Sequence, residues 1–350
     1  MNYTPIIKAL GLIILVLSIG LLIPLIFSLW EGTPDIIGFA LSAAIGIGVG
    51  SLLAFALTTE KEISHRDGFA IVTFGWLFAA LIGGLPYYIS GFASFTDSFF
   101  ESISGFTTTG ASIFSNIEGL PRATLLWRSM THWFGGMGII VLSLAILPFL
   151  GIGGMSIFEA EVPGPTAEKL TPRIQDTAKI LWFVYFILTF ILLVCLWLAG
   201  MNLFEAVNHA FATMATGGFS TKNTSIAAFN SPLIEWILIV FMILAGTNFS
   251  LHYRFIFKSL NPVGFLKDSE FKFYMLLILL SIGLIVTTMF VRGGADFTDS
   301  LRDASFTVVS LVTTTGFATA DYELWGIFSQ FILMFFDADR WLCWKYRWWN

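Results

Sequence analysis

Long apolar stretches alternate with short polar ones along most of the chain. Apolar runs cover Ile6–Leu29, Ile36–Leu57, Phe69–Ile89, Thr131–Leu150, Ile180–Leu198, Pro232–Asn248 and Phe273–Phe290, and a last one begins near Ile327. Each approaches the roughly 20 residues a helix needs to cross the hydrocarbon core of a bilayer. They are too long and too continuous for barrel strands. The pattern therefore predicts an all-α polytopic membrane protein. Between the runs lie three amphipathic segments, Phe95–Phe106, Leu203–Met214 and Thr298–Leu311. Helices of that length fall short of a crossing, so these segments are expected to dip into the membrane and return.

Each dipping segment runs into a phrase of threonine and glycine: GFTTTGAS from Gly105, MATGGFST from Met214 and SLVTTTGFAT from Ser310. The shared Gly-Phe pair aligns Gly218 with Gly316, and Thr-Thr-Thr-Gly aligns Gly110 with both. Gly217 then stands where the other two have Thr109 and Thr315. Threonine and glycine are weak helix formers. Non-helical backbone at membrane depth is tolerated where protein buries it or where it lines a watery cavity. Such backbone turns its carbonyls toward an axis, and those oxygens replace the water that a permeating cation gives up. The candidate coordinating residues are Thr108, Thr109, Gly110, Thr216, Gly217, Gly218, Thr314, Thr315 and Gly316. Asp97, Glu205 and Asp299 near the starts of the three segments suit the positive end of a helix dipole. Three copies in the same context outweigh the reading of each as a small-residue packing site.

Composition agrees with the pattern. Apolar residues make up 56% of the 350, charged residues 12%, and the mean hydropathy is +0.83, which excludes an ordinary soluble domain. The first run is too long for a cleaved leader and is read as a retained helix. The net charge of −5 matters less than where the cations lie. With the N-terminus in the cytoplasm, inner loops hold Lys8, Lys61, Arg66, Lys169, Arg173, Lys179, Arg254, Lys258, Lys267 and Lys272, and outer ones hold Arg122, Arg128, Lys222, Arg292 and Arg302. That orientation puts the threonine–glycine phrases on the outer side.

Other chemistries find little support. Cys195 and Cys343 suggest neither a disulfide framework nor a metal cluster. His65, His132, His209 and His252 share no metal-ligand spacing. His132, opening a span beside Trp133, reads as an interfacial or packing residue, and His209 as a packing residue of the second dipping segment. The glycines of GGMGI from Gly135 and GIGG from Gly151 lack the strand–turn–helix setting of a dinucleotide fingerprint and read as close helix packing. No nucleophile or metal set marks an intramembrane enzyme, so the chain is read as no enzyme and as needing no cofactor.

Several phrases together carry a resemblance: FFESISGFTTTGAS from Phe99, WFGGMGIIVLSLAILP from Trp133, GIGGMSIFEAEVPGP from Gly151, HAFATMATGGFST from His209 and VVSLVTTTGFAT from Val308. Over residues 3–336 the chain resembles the bacterial potassium-uptake proteins of the Trk/Ktr/HKT superfamily, in particular the TrkH/TrkG-type membrane subunit. The resemblance implies two extra N-terminal helices and then four helix–pore loop–helix units around one pore, in a homodimer of the bacterial inner membrane. It implies inward movement of potassium ion and a cytoplasmic, nucleotide-binding TrkA-type regulatory subunit, with membrane lipid around it and no nucleic acid. Symport with another ion is a family expectation. Mapped onto this chain, residues 1–66 are the N-terminal pair with a cytoplasmic loop, 67–157 the first unit, 158–256 the second and 257–336 an incomplete third, with a fourth unit missing. The polar loops Phe158–Lys179 and Lys258–Lys272 are candidate contacts for the regulatory subunit.

The stretch 337–350, DADRWLCWKYRWWN, departs from that pattern. It sets Asp337, Asp339 and Arg340 in an apolar span that has barely begun, where charge is costly. Tryptophan has one codon, and codons for WLCWKYRWWN can be chosen so that a shifted reading gives Gly-Cys-Ala-Gly-Ser-Thr-Gly-Gly-Gly, a string the family carries at this place. The expectation is a frameshift near Phe336; the reading remains potassium uptake across the bacterial inner membrane, with a truncated, transport-inactive product as the alternative.

Overall fold

The computed structural model describes residues 3–56, 65–138, 174–247, 251–252, 268–291 and 296–334. The described residues are helical throughout, with connecting turns. They form two compact bodies, Met1–Phe186 and Ile187–Asn350.

In the first body, α1 (Tyr3–Gly20) and α2 (Leu22–Glu31) form one apolar crossing, followed by α3 (Ile36–Phe55) and α4 (His65–Ile89). The break between α1 and α2 falls at Leu21, three residues before Pro24, which has no N–H to donate back along the helix. α1 packs on α3 through small residues. A Cβ on Gly11 would meet the Ala54 nitrogen at 2.5 Å, and one on Gly50 the Leu15 nitrogen at 2.7 Å. Without a hydrophobic drive between helices in lipid, such backbone approach supplies the packing energy. The turn after α2 is fastened by buried Asp35, whose carboxylate accepts from Ser28 Oγ (2.6 Å), Thr33 Oγ1 (2.6 Å) and Thr124 Oγ1 (2.8 Å). Thr124 belongs to α6 (Arg122–Gly136), so this carboxylate ties the N-terminal pair to the helix that follows the first threonine–glycine phrase. Arg122 adds an ion pair to Glu31 and lies over the Phe27 ring at 5.6 Å.

Between α4 and α6 lies the half-length helix α5 (Phe95–Phe106). Ser94 caps it, accepting from the Asp97 N–H at 3.2 Å and donating to Asp97 Oδ2 at 2.7 Å, a capping arrangement that fixes the start. Gly83 and Gly84 of α4 let α5 lie against the backbone: a Cβ on Gly84 would sit 2.7 Å from the Ser98 carbonyl oxygen. Trp127 of α6 donates its Nε1–H to the Gly83 carbonyl at 2.8 Å. Gly135 leaves room for the Phe106 backbone, which a Cβ there would overlap. The reading of Gly135 as a packing residue holds.

Of α7 (Ile174–Leu198), Ile187 to Leu198 belongs to the second body. That body continues with half-helix α8 (Leu203–Met214), a 3-10 turn (Ser225–Phe229), α9 (Pro232–Ala245), α10 (Ser269–Val291) and half-helix α11 (Phe297–Val312), and residues 327–334 are helical again. Asn202 Oδ1 caps α8 through the Glu205 N–H at 2.8 Å. α10 turns Phe273, Leu276, Leu279, Leu280 and Phe290 outward, as a helix bordering lipid does.

Five described helices are long and apolar enough to cross a membrane, and Pro232–Ala245 is a shorter apolar one. The half-helices occupy the predicted positions, α11 extending the predicted Thr298–Leu311 by one residue at each end. Other expectations need correction. The helix that enters the run predicted from Thr131 is α6, which begins at Arg122 and ends at Gly136, so Arg128 and His132 lie inside it and are buried; residues 139–150 of that run lie outside the described residues. His132 therefore opens no span. Arg128 and Arg302 of the outer set are helix residues, as are Arg122 beside them and Lys8, Arg66, Lys179 and Lys272 of the inner set, so both sides of the loop-charge count shrink. Cys343, Arg254, the phrase from Gly151, most of both candidate docking loops and the stretch 337–350 lie outside the described residues.

Candidate functional site

The three half-helices end alike. The N–H of Thr109 bonds to the Ser104 carbonyl (2.9 Å), that of Gly217 to Ala212 (2.9 Å) and that of Thr315 to Ser310 (2.8 Å). These bonds span six residues, the signature of a Schellman ending. The residue in the left-handed conformation that this ending requires is usually glycine. Here it is threonine each time: Thr108 has φ 53°, Thr216 φ 52° and Thr314 φ 61°. For a β-branched residue this is a conformational outlier, of the kind that costs about 1–3 kcal/mol and clusters at functional sites. Two residues on, Gly110, Gly218 and Gly316 have φ 79°, 80° and 79°.

Backbone that alternates in this way makes no ladder with a neighbour. Among the described residues, none of the nine carbonyl oxygens of residues 108–110, 216–218 and 314–316 accepts a hydrogen bond. Each half-helix therefore delivers three consecutive free acceptors at its carboxyl end, and the helix dipole places partial negative charge there. Carbonyls in that arrangement suit a cation.

In the second body two of the phrases meet. A Cβ on Gly218 would overlap the Thr315 carbonyl oxygen and stand 3.3 Å from the Gly316 carbonyl carbon. Gly218 is thus required twice, by its φ and by the passage of the third phrase beside it. Gly110, Thr108 and Thr109 belong to the first body.

Side chains reinforce the first and third phrases in the same way. Ser104 donates to the Ala111 carbonyl at 2.6 Å, and Ser310 to the Phe317 carbonyl at 2.7 Å. Thr107 and Thr109 share a hydroxyl hydrogen bond of 2.8 Å, as do Thr313 and Thr315. The second phrase has Ala212, Ala215 and Gly217 at these places and forms neither contact.

Four charged or titratable residues that sequence reasoning did not assign to the site support it. Glu101 on α5 and Arg128 on α6 form an ion pair of 2.7 Å with side chains 0% and 1% exposed. Glu101 also accepts from Ser112 Oγ (3.0 Å) and from the Ile113 N–H (2.9 Å), both just beyond Gly110. His209, expected to pack, does more: its Nδ1 faces the Glu205 carbonyl at 2.8 Å and its Nε2 meets Ser220 Oγ at 3.0 Å, just beyond Gly218. A carbonyl only accepts, so Nδ1 carries the proton, and in the neutral ring Nε2 accepts from Ser220. On α11, Arg302 bonds to Glu235 of α9 (2.9 Å) and to Asp299 (3.0 Å). A signal for Glu101 and His209 was present in the sequence, since both stand nine residues before the left-handed glycine of their phrase. Among the described residues no group of three or more His, Cys, Asp or Glu is placed to hold a metal ion.

Comparison with known proteins bears on this arrangement. Residues 37–337 match the TrkH family of cation transport proteins. The Trk system potassium uptake protein TrkH of Vibrio parahaemolyticus is 39% identical over 341 residues, 96% of this chain and 70% of that protein. TrkH of Escherichia coli K12 is 38% identical over 95% of this chain and 70% of its own length. TrkG of the same organism is 37% identical over 90% of the chain and 66% of its length. The crystal structure of the potassium transporter TrkH from Vibrio parahaemolyticus superposes with a TM-score of 0.84 at 36% identity, covering 96% of this chain and 70% of that one. The chain spans about seven-tenths of the length of these TrkH relatives. It is a multi-pass membrane protein, a transporter type and not an enzyme type, and it belongs to the TrkH family of potassium-transporting cation transport proteins.

Proposed function

We infer that this protein takes part in potassium uptake across the bacterial inner membrane, with Thr108, Thr109, Gly110, Thr216, Gly217, Gly218, Thr314, Thr315 and Gly316 coordinating the ion through backbone oxygens. The observation that carries the reading is the conformation common to the three phrases, a left-handed threonine and a left-handed glycine flanking carbonyls that nothing in the described protein engages. An ion entering such a site exchanges water for fixed oxygens, and the strained backbone is held ready before it arrives. The N-terminus lies in the cytoplasm in this reading. The phrases face the outer side, and the excess of Lys and Arg in and beside the inner connections supports this. The segment boundaries 67–157, 158–256 and 257–336 follow the three phrases, and a homodimer with a TrkA-type regulatory subunit on the cytoplasmic side completes the assembly.

Equilibrium binding of radioactive rubidium to the purified protein tests the site directly. Potassium should displace it and sodium should compete poorly, with binding lost in Gly218→Ala. Equal competition by sodium and potassium, or full binding in that variant, would overturn the assignment.

A further inference from the structure

Aligned on their glycines, the three phrases place Glu101, His209 and Thr307 at one position of the half-helix, and Ser112, Ser220 and Ala318 at one position of the strand of chain that leaves the phrase. In the first two the helix position reaches across to the leaving chain. Glu101 takes the Ser112 hydroxyl at 3.0 Å and the Ile113 N–H at 2.9 Å. His209 takes the Ser220 hydroxyl at 3.0 Å. The serine is used identically in both. Its oxygen accepts from the N–H two residues later, Phe114 at 3.2 Å and Lys222 at 3.1 Å, so it folds the leaving chain into a tight turn while fastening it to the half-helix.

The chemistry of the fastening differs. Glu101 is an acceptor only and fully buried, so it needs a cation. Arg128 provides it, donating Nε–H to Glu101 at 2.7 Å and NH2 to Ser112 Oγ at 3.0 Å. His209 is uncharged in the tautomer its partners require and is walled by Phe229 and Phe317 rings at 5.1 and 6.0 Å. Thr307 and Ala318 cannot form such a pair. There the leaving chain is held by the second phrase's own loop: Ala318 donates its N–H to Ser225 Oγ (3.3 Å) and its carbonyl accepts from the Ala227 N–H (3.2 Å).

We propose that Glu101 and His209 are positioning residues at one equivalent site, each fixing the outgoing side of its filter phrase, and that Arg128 acts through Glu101. A filter oxygen can keep its place only if both ends of its short segment are anchored. The Schellman bond anchors the incoming end in all three, and this position anchors the outgoing end. The proposal rests on the reading of the phrases as ion-coordinating, but its first measurement does not.

Amide exchange at Ile113 and rubidium-over-sodium preference would be measured on the purified chain for Glu101→Ala, Arg128→Leu, the double variant Glu101→His with Arg128→Leu, and Ser112→Ala. Glu101→Ala should raise exchange at Ile113 about tenfold, since a charge-assisted bond is lost there, and should lower the rubidium preference. The double variant installs the second phrase's chemistry in the first, without charge, and should return both values toward those of the unaltered protein. A merely structural role for the ion pair predicts no such return. Should Glu101→Ala fail to fold, Ser112→Ala removes one hydroxyl and no charge. It should raise exchange at Ile113 and Phe114 about threefold with the thermal midpoint unchanged. Unchanged exchange in Ser112→Ala, or a double variant no closer to the unaltered protein than Arg128→Leu alone, overturns the proposal. If the unaltered protein shows no preference for rubidium, the coordination reading fails while the exchange result still decides the anchoring.

Discussion

The first and second threonine–glycine phrases reach one backbone conformation with different side chains. The first has Thr-Thr-Thr-Gly, a hydroxyl bridge between Thr107 and Thr109, a serine latch from Ser104 and a buried ion pair behind it. The second has Ala-Thr-Gly-Gly, neither bridge nor latch, and a neutral histidine behind it. Yet Thr108 and Thr216 differ by one degree in φ, and so do Gly110 and Gly218. What the two share is the six-residue hydrogen bond that ends the half-helix and an anchor on the outgoing chain. The comparison teaches that the helix ending and the outgoing anchor go with the shared conformation, whereas the threonine bridge and the serine latch only reinforce it.

The glycines offer the strongest way to break the comparison. Gly218 is constrained both by φ and by the Thr315 carbonyl, whereas a Cβ on Gly316 would meet nothing within 4 Å. Gly218→Ala should weaken rubidium binding roughly a hundredfold or more, a loss of at least about 2.7 kcal/mol. Gly316→Ala bears only the backbone cost of about 1–2 kcal/mol and should weaken it about tenfold. Equal losses in a binding isotherm would mean that the contact between the phrases does not matter.

The anchors give the next largest effect. Glu101→Ala leaves Arg128 as an uncompensated buried charge and should lower unfolding stability by about 3–5 kcal/mol. His209→Ala strands only neutral groups and should cost about 1–3 kcal/mol. Denaturant titration of the purified variants checks the order, and a reversed order would contradict the charge assignment.

The latches should matter less. Ser104→Ala and Ser310→Ala each remove one neutral hydrogen bond, about 1 kcal/mol, and rubidium binding should persist because the second phrase works with Ala212 in that place. Loss of binding in either would show that the latch, and not the helix ending, sets the geometry. The smallest change has the opposite sign. Thr216→Gly relieves a left-handed threonine and should stabilise the fold by about 0.5–1 kcal/mol after the extra chain entropy of glycine is counted. A lower thermal midpoint would mean that the threonine is not strained.

Much of the arrangement was legible in the chain because its signals are local. The extents of α5 and α8 follow from amphipathic spacing and from Ser94 and Asn202 at their caps, and the phrases align by their own letters. The anchors were not legible in the same way. Glu101 and Arg128 are 27 residues apart and each reads alone as a surface charge. Glu101, His209 and Thr307 have no chemistry in common, so only their fixed distance from the glycine marks them as one position. Arg128 was misplaced for a related reason: α6 begins with polar residues and packs them against protein, so hydropathy gave no sign of a helix from Arg122. Arg302 falls inside the predicted segment Thr298–Leu311, but nothing local in the sequence marks its pairing with Glu235 of α9.

The claim on which all of this depends is that the free carbonyls after the left-handed threonines hold the ion. Anomalous diffraction from crystals grown in rubidium would test it most directly. The account predicts density within coordination distance of the carbonyl oxygens of residues 216–218 and 314–316, and its disappearance in Gly218→Ala. Ordered rubidium elsewhere with none at these oxygens would contradict it.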